Sequence, residues 1–146
     1  MKSVYRKPLF AIVAGAVIAT ASLPGTSVAG SSDKQILADY LTSAKTQNPG
    51  LEAFSADRGR NLFLSSPASG KPDTPSCTSC HSTDPLNSGR TRAGKDIAPM
   101  ALSKTPARYT DRKKVEKWFR RNCKSVLGRI CTPLEKGDII TFMISQ

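Results

Sequence analysis

The chain has 146 residues, with 22 Lys or Arg and 11 Asp or Glu, and its formal net charge is +11 at pH 7. This length suits one small domain and argues against a second. A basic chain raises the question of nucleic acid, but its amino-terminal segment predicts export, and an exported protein does not meet a genome. The charge therefore favours an acidic protein partner or an anionic membrane surface.

The first 29 residues have the pattern of a secretory signal peptide. They hold three basic residues, no acidic one, and a mainly apolar run over 9–23 that Pro24 closes. Fifteen residues are fewer than the roughly 20 that a helix needs to span a bilayer. Cleavage before Gly30 would leave 117 residues with 19 basic and 11 acidic side chains, a net charge of +8. We therefore expect a periplasmic, single-domain protein over 30–146.

Helical patterns open the mature chain. Residues 32–35 fit a capping box, and apolar side chains follow at helical spacing, which predicts a first short helix. A second helical stretch is predicted from about Leu51 to Leu64. Three prolines and one glycine over 65–76 predict a loop.

Two more helices are predicted near the carboxyl terminus. Residues 82–106 show little periodicity and read as a wrapping loop. Thr110 or Asp111 can cap a helix that runs to about Asn122, with an apolar face, and a capping box at Thr132 with Pro133 in the first helical position begins the last one. No strand pattern competes, so the fold class is all-α with short helices and long loops. Such a thin core needs additional apolar mass on which the short helices can pack.

A CxxCH motif stands in the middle of the chain. Cys77 and Cys80 are spaced to reach the two vinyl groups of one haem, and this aims His81 at the iron. A thioredoxin-like motif would require a βαβ context, and a structural zinc site would require Cys123 and Cys131 as further ligands. The motif together with the export signal favours one covalently attached haem c.

The sixth ligand of the iron is open on residue pattern alone. His81 is the only histidine, which excludes ligation by two histidines and argues against a second haem. An ordinary electron carrier places its distal methionine in a loop shortly before the last helix, but residues 101–142 contain none. Met100 is one candidate ligand, whereas Met143 falls within the final helix, where a structural role is expected.

Asn122 is the other candidate. It follows Val115, Trp118 and Phe119 at spacings that place all four on one helical face. Asn122 could continue this stripe toward the haem, or it could be the carboxyl-terminal residue of the helix, where asparagine is common. The pattern does not decide between these interpretations.

A longer similarity carries more information. The run over 108–135 resembles the sphaeroides haem protein family, which comprises high-spin, oxygen-binding class I cytochromes c, and the likeness extends to 70–81 and 91–99. The residues of the run that carry the resemblance are Val115, Glu116, Lys117, Trp118, Arg121, Asn122, Cys123, Ser125, Val126, Gly128, Arg129, Cys131, Thr132 and Pro133.

The resemblance implies a class I cytochrome c fold and a function. It implies that Asn122, directly before the first disulfide cysteine, is the distal ligand in the ferric state, and that Cys123 and Cys131 form a disulfide, which an oxidising compartment also favours. An amide oxygen suits Fe(III) and not Fe(II), so reduction would open the iron to oxygen or nitric oxide. The resemblance further implies a dihaem cytochrome c, linked to a membrane b-type cytochrome, as electron donor.

Three functions stay open at this point: a ligand-binding haem protein that exchanges electrons, a plain electron carrier that uses Met100, and a small peroxidase or reductase. Catalysis ranks last because the only histidine is committed to the iron. Ten basic and two acidic residues stand between Lys104 and Arg129. This concentration favours docking to an acidic redox partner.

Overall fold

The computed structural model describes Met1 and residues 32–146, so the signal peptide predicted over 1–29 lies outside the described residues, Met1 apart. The elements in chain order are α1 (Ser32–Gln47), α2 (Ala56–Leu64), a 3₁₀ turn (Cys77–Ser79), β1 (Gly89–Arg90), β2 (Asp96–Ile97), α3 (Arg112–Val126) and α4 (Pro133–Ile144). Within 32–146, no helix is both long enough and apolar enough to cross a membrane. The all-α prediction is confirmed.

The helix boundaries correct two predictions. α2 begins at Ala56 and not at Leu51, because Ser55 adopts extended backbone and its side chain accepts a hydrogen bond from the Arg58 amide. α3 begins after Asp111, as predicted, but runs to Val126, four residues beyond Asn122. The predicted capping box at Thr132 is present.

The strands were not predicted. β1 and β2 are antiparallel and pair only at Gly89 with Ile97 and Arg90 with Asp96. Two residues are too few for an alternating pattern to stand out in a sequence. The pair closes a short hairpin inside the loop over 82–106.

Helices α2 and α4 pack with almost no space between them at one point. A Cβ atom on Gly59 would lie 2.0 Å from the Asp138 carbonyl oxygen, so only glycine allows this approach. The buried Asp138 carboxylate holds the start of α2 by accepting hydrogen bonds from the Ser55 amide (2.7 Å) and from Arg58 Nε (2.8 Å). The two helices are therefore fixed by close contact and by a charged cap.

A second group of contacts attaches α3 to α1 and α4. The Tyr40 hydroxyl donates to Glu116 Oε1 at 2.6 Å, and Lys136 Nζ donates to Glu116 Oε2 at 2.8 Å. Arg112 pairs with Asp39 on α1. Burial raises the pKa of Glu116, but the hydrogen bonds from Lys136 and Tyr40 outweigh it and hold the pKa below its usual range. One carboxylate thus joins three helices.

The core lies between α1, α2 and α4 and continues onto α3. Its main cluster consists of Ile36, Tyr40, Phe63, Tyr109, Val115, Ile139, Ile140, Phe142 and Met143. A smaller cluster consists of Cys123, Val126, Leu127 and Cys131. Met143 is fully buried, as its predicted structural role requires.

Candidate haem site

The CxxCH motif folds as one tight turn. Cys77–Ser79 is 3₁₀-helical, and the amides of Cys80 and His81 donate to the Cys77 carbonyl at 3.3 and 3.1 Å. Ser76, at the start of the turn, is buried and shares hydrogen bonds with Thr78 and Ser79. The turn therefore fixes the imidazole relative to both thiols.

His81 faces an apolar cavity without a polar partner. Its Nδ1 atom is buried and has no hydrogen bond within the described residues, and its ring lies 6.3 Å from the Phe63 ring. Burial, followed by the charge of Arg108, lowers the pKa of His81 to about 4. The imidazole is therefore neutral at pH 7, which is the form that binds a metal.

The β1–β2 hairpin packs against the backbone of the CxxCH motif. A Cβ atom on Gly89 would lie 2.2 Å from the Cys80 carbonyl oxygen and 2.8 Å from the His81 Cα. The Arg90 amide donates to the same Cys80 carbonyl at 2.8 Å. The unpredicted strand β1 thus holds the backbone of the proposed proximal ligand.

One cavity unites most of the predicted site residues. Its wall contains Leu62, Phe63, Cys77, His81, Met100, Phe119, Asn122, Cys123, Val126, Leu127, Cys131 and Ile139. Both candidate distal ligands, Met100 and Asn122, therefore share a cavity with His81. Cys80 is not part of the wall and remains half-buried in the turn beside it.

Asn122 lies inside helix α3, one turn before its end. Its side chain contributes to the cavity wall and is otherwise exposed, so it lies at the mouth. The helix runs to Val126 with Leu127 as its C-cap, and Gly128 follows with φ +69°, a left-handed conformation that favours glycine. Asn122 is therefore not the carboxyl-terminal residue of the helix.

The predicted disulfide is present. Cys123 and Cys131 are bonded, with their Cα atoms 5.6 Å apart, and both side chains are buried in the cavity wall. The bond connects α3 to the residue just before the cap of α4. Since these two sulfurs are bonded to each other, they do not serve as zinc ligands.

The loop that leads into the motif packs on the end of α3. The Lys71 amide donates to the Ser125 carbonyl at 2.7 Å, and the hydroxyls of Thr74 and Ser125 share a hydrogen bond of 2.7 Å. A Cβ atom on Gly70 would lie 2.1 Å from the Val126 carbonyl oxygen. The chain before Cys77 and the helix that carries Asn122 are thus held in one arrangement.

Three side chains hold the backbone beside Met100. Arg108 Nε and the Thr105 hydroxyl both donate to the Pro99 carbonyl at 2.9 Å, and the buried Tyr109 hydroxyl donates to the Met100 carbonyl at 3.0 Å. The loop over 98–100 is therefore well fixed although it has no secondary structure. Arg108 and Tyr109 were not singled out from the sequence, because hydrogen bonds to loop carbonyls leave no pattern.

The predicted position of Trp118 on the apolar face of α3 is wrong. Helical spacing predicts that it lies there with Val115 and Phe119, but 51% of it is exposed. The guanidinium of Arg121 lies 5.1 Å and the Lys117 ammonium 6.0 Å from its ring centroid. Trp118 lies one turn before Asn122, on the outer side of the cavity mouth.

These residues fit a covalently attached haem. The cavity is walled by apolar side chains and offers an unpartnered imidazole and a thiol that is free of any disulfide, with a second free thiol three residues on. Burial raises the pKa of Cys77 to about 11, which favours the protonated thiol. A thioether to a haem vinyl group removes this buried thiol.

The chain is similar to known proteins in both sequence and structure. The family model described as "Domain of unknown function (DUF1924)" matches residues 49–143. The chain is 50% identical over 131 residues to the cytochrome c-type protein SHP of Cereibacter sphaeroides, covering 89% of this chain and 97% of the relative. It superposes on the structure of oxidised SHP, an oxygen-binding cytochrome c, with TM-score 0.71 and 52% identity, covering 78% and 96% of the two chains.

A more distant relative has the same architecture. Cytochrome c″ of Methylophilus methylotrophus is 32% identical over 114 residues, which cover 77% of this chain and 79% of the relative. Its oxidised crystal structure matches with TM-score 0.67 and 31% identity, over 79% and 94% of the two chains. A solution structure of cytochrome c″ concerns the structural basis of haem-ligand detachment in that protein.

Proposed function

Since the chain belongs to the family of the cytochrome c-type protein SHP and is a c-type cytochrome with a covalently attached haem c, we propose that His81 and Asn122 are the two ligands of its ferric iron. Cys77 and Cys80 form the thioethers. The protein exchanges electrons and, once reduced, binds small diatomic molecules such as oxygen or nitric oxide. The observation that carries this proposal is the shared cavity of His81 and Asn122.

Asn122 gives the site its dependence on oxidation state. The haem supplies an iron that changes charge by one electron and offers a sixth position to a ligand. An amide oxygen is a hard, weak donor that suits Fe(III) and is poorly suited to Fe(II). Reduction therefore releases the Asn122 side chain toward solvent.

The surroundings of Asn122 allow this movement. Its side chain has no hydrogen bond within residues 32–146 and lies at the mouth of the cavity, so its release breaks no other contact of that kind. The disulfide at Cys123 holds the helix in place while the side chain moves. The oxygen binding of SHP and the haem-ligand detachment of cytochrome c″ support the same behaviour here.

Met100 supports a second candidate function, a conventional His/Met electron carrier, because it lies in the same cavity wall. A methionine thioether favours Fe(II) and would keep the site closed. We place it second, since a structural relative of 52% identity is an oxygen-binding cytochrome c, and a closed site does not suit that behaviour.

Optical spectra of three proteins separate the two functions. The wild-type ferric protein should show a high-spin charge-transfer band and no sulfur-to-iron band at about 695 nm. Asn122→Ala should give a five-coordinate or water-bound ferric haem, whereas Met100→Leu should leave the ferric spectrum unchanged. An unchanged spectrum in Asn122→Ala would remove that residue from the role, and loss of a 695 nm band in Met100→Leu would establish the carrier.

The protein acts by electron exchange and ligand binding rather than by catalysis. Among residues 32–146, the cavity wall includes no carboxylate, lysine or second histidine that could serve as a distal acid or base. The predicted export places it in the periplasm. Its basic surface suits an acidic electron donor, for which a dihaem cytochrome c linked to a membrane b-type cytochrome is the proposed identity.

A further inference from the structure

Trp118 and Arg121 form an exposed aromatic and cationic surface on helix α3. This surface lies next to Asn122 and the opening of the haem cavity, which is called the distal mouth below. Trp118 is the chain's single tryptophan, and it is half exposed although its helix has a buried face available. Arg121 stacks near its ring at 5.1 Å and forms no salt bridge within residues 32–146. Tryptophan and arginine are the residue types that most often carry the energy of protein interfaces.

We propose that the acidic electron donor docks on this surface, with Trp118 as its central contact, and thereby covers Asn122 and the distal mouth. This inference rests on the proposed function. It adds that electron delivery and entry of a diatomic ligand exclude each other in time.

Position on the helix supports this placement. Trp118 and Asn122 are four residues apart, so they lie one above the other on the same side of α3. Asn122 belongs to the cavity wall, so a protein that covers Trp118 lies one helical turn from a residue of that wall. In the reaction itself one electron passes from the reduced donor to the ferric haem; the coordinate bond from Asn122 would be released on reduction, and no proton is transferred.

Charge supports the choice of an acidic protein. The two cations that flank Trp118, Lys117 and Arg121, belong to the segment between Lys104 and Arg129 with ten basic and two acidic residues. Such a field accelerates the encounter with an acidic partner and weakens as salt rises. The aromatic ring then supplies the desolvated contact that charges alone do not.

Helix α3 has a second basic surface on which an acidic donor could dock instead. A groove toward α4 contains Arg112, Lys113, Glu116, Lys117, Arg120, Ile130 and Lys136. Arg112 and Lys136 are paired there with acidic side chains, Asp39 and Glu116. The groove shares Lys117 with the Trp118 surface, but its wall does not include Trp118, Arg121 or Asn122, so a donor centred on it would leave Asn122 uncovered.

The matched pair Arg121→Gln and Arg120→Gln distinguishes the two surfaces, because each removes one cation from neighbouring positions of the same helix. As donor we would use a chemically reduced, acidic [2Fe–2S] ferredoxin and measure the second-order rate of haem reduction by stopped flow. Arg121→Gln and Trp118→Ala should each slow it roughly tenfold at low salt. Arg120→Gln and the exposed-apolar control Leu86→Ala should stay within about twofold of wild type.

Reduction by ascorbate, which needs no docking surface, should be the same in all variants and shows that the haem site is intact. Equal rates for Trp118→Ala and wild type with ferredoxin, or a larger effect of Arg120→Gln than of Arg121→Gln, would overturn the proposal. So would vesicles of phosphatidylglycerol that bind wild type but not Trp118→Ala while the ferredoxin rate is unaffected, because the surface would then serve a membrane.

A second measurement tests whether docking covers the mouth. Saturating the ferrous protein with redox-inert, gallium-substituted ferredoxin should slow carbon monoxide association several-fold. An unchanged association rate with ferredoxin bound would place the donor elsewhere. The spectrum of Asn122→Ala tests the proposed ligand independently, so the failure of one idea is distinguishable from the failure of the other.

Discussion

Asn122 and Cys123 are consecutive residues of α3 with opposite surroundings: the Asn122 side chain is exposed at the cavity mouth, whereas the Cys123 sulfur is buried and bonded to Cys131. The residue proposed to leave the iron is thus next to the residue that fixes its helix. A mobile side chain on an immobile backbone is what reversible ligation requires.

Replacing both disulfide cysteines, in Cys123→Ser with Cys131→Ser, should lower the free energy of unfolding by about 2–3 kcal/mol, the chain-entropy value for so short a loop. The end of α3 should also loosen, so that the ferric spectrum shows a larger water-bound fraction. Urea unfolding followed by the haem absorbance measures the first effect. Equal stability of the variant and wild type would contradict the structural role.

Gly59→Ala should destabilise the fold by about 1–3 kcal/mol, since overpacking of this kind forces backbone to move. The added Cβ would lie 2.0 Å from the Asp138 carbonyl oxygen, and backbone cannot yield as a flexible side chain can. Gly50→Ala is the control, because its nearest neighbour would lie 3.8 Å away. Thermal unfolding of the two variants should differ clearly, and similar midpoints would show that α2 and α4 adjust freely.

Asp138→Asn should cost about 1–3 kcal/mol, because the buried carboxylate accepts charge-assisted hydrogen bonds from Arg58 and one from the Ser55 amide. The start of α2 should open more often in Asp138→Asn than in wild type. Asp57→Asn removes an exposed carboxylate in the first turn of the same helix and should change stability far less. Amide hydrogen exchange in α2 would locate the effect, and equal exchange in both variants would argue against it.

Acid should weaken the protein partly through Glu135. The hydrogen bond from Arg129 holds the pKa of Glu135 below its usual range. This stabilisation is complete above the unfolded-state pKa of about 4.3 and is lost as the pH falls through the lower folded-state value. Between about pH 5 and pH 3, wild type should therefore lose stability more steeply than Glu135→Gln.

The control for this pH dependence is Glu52→Gln, which removes an exposed carboxylate without a hydrogen bond in the described residues. Its free energy of unfolding should change with pH in the same way as that of wild type. Unfolding curves measured across the range check both variants, and parallel curves for Glu135→Gln would exclude the ion pair with Arg129 as a cause.

The sequence predicted the elements with strong local signals. Thr132 and Pro133 mark the start of α4 by capping chemistry, and the CxxCH spacing predicts the turn that presents His81. The predicted end of α3, at about Asn122, is four residues early. Gly128 could have indicated the true end, because a glycine with positive φ is common just after a helix.

The rest depended on contacts between distant residues. α2 starts at Ala56 partly because Asp138, far along the chain, binds the Ser55 amide, and the strand at Gly89 packs directly against the Cys80 carbonyl. Trp118 is a similar case at the protein surface. Helical spacing places it near the apolar face of α3, but only the packing of the other helices shows that the buried part of that face does not include Trp118.

The exposed position of Trp118 also equips the protein with a built-in optical reporter. It is the only tryptophan, and it stands one helical turn from a residue of the haem cavity. Haem absorbs light where tryptophan emits, so its fluorescence is quenched in the folded state and reappears when α3 separates from the haem. Unfolding can therefore be followed in the native chain without a label.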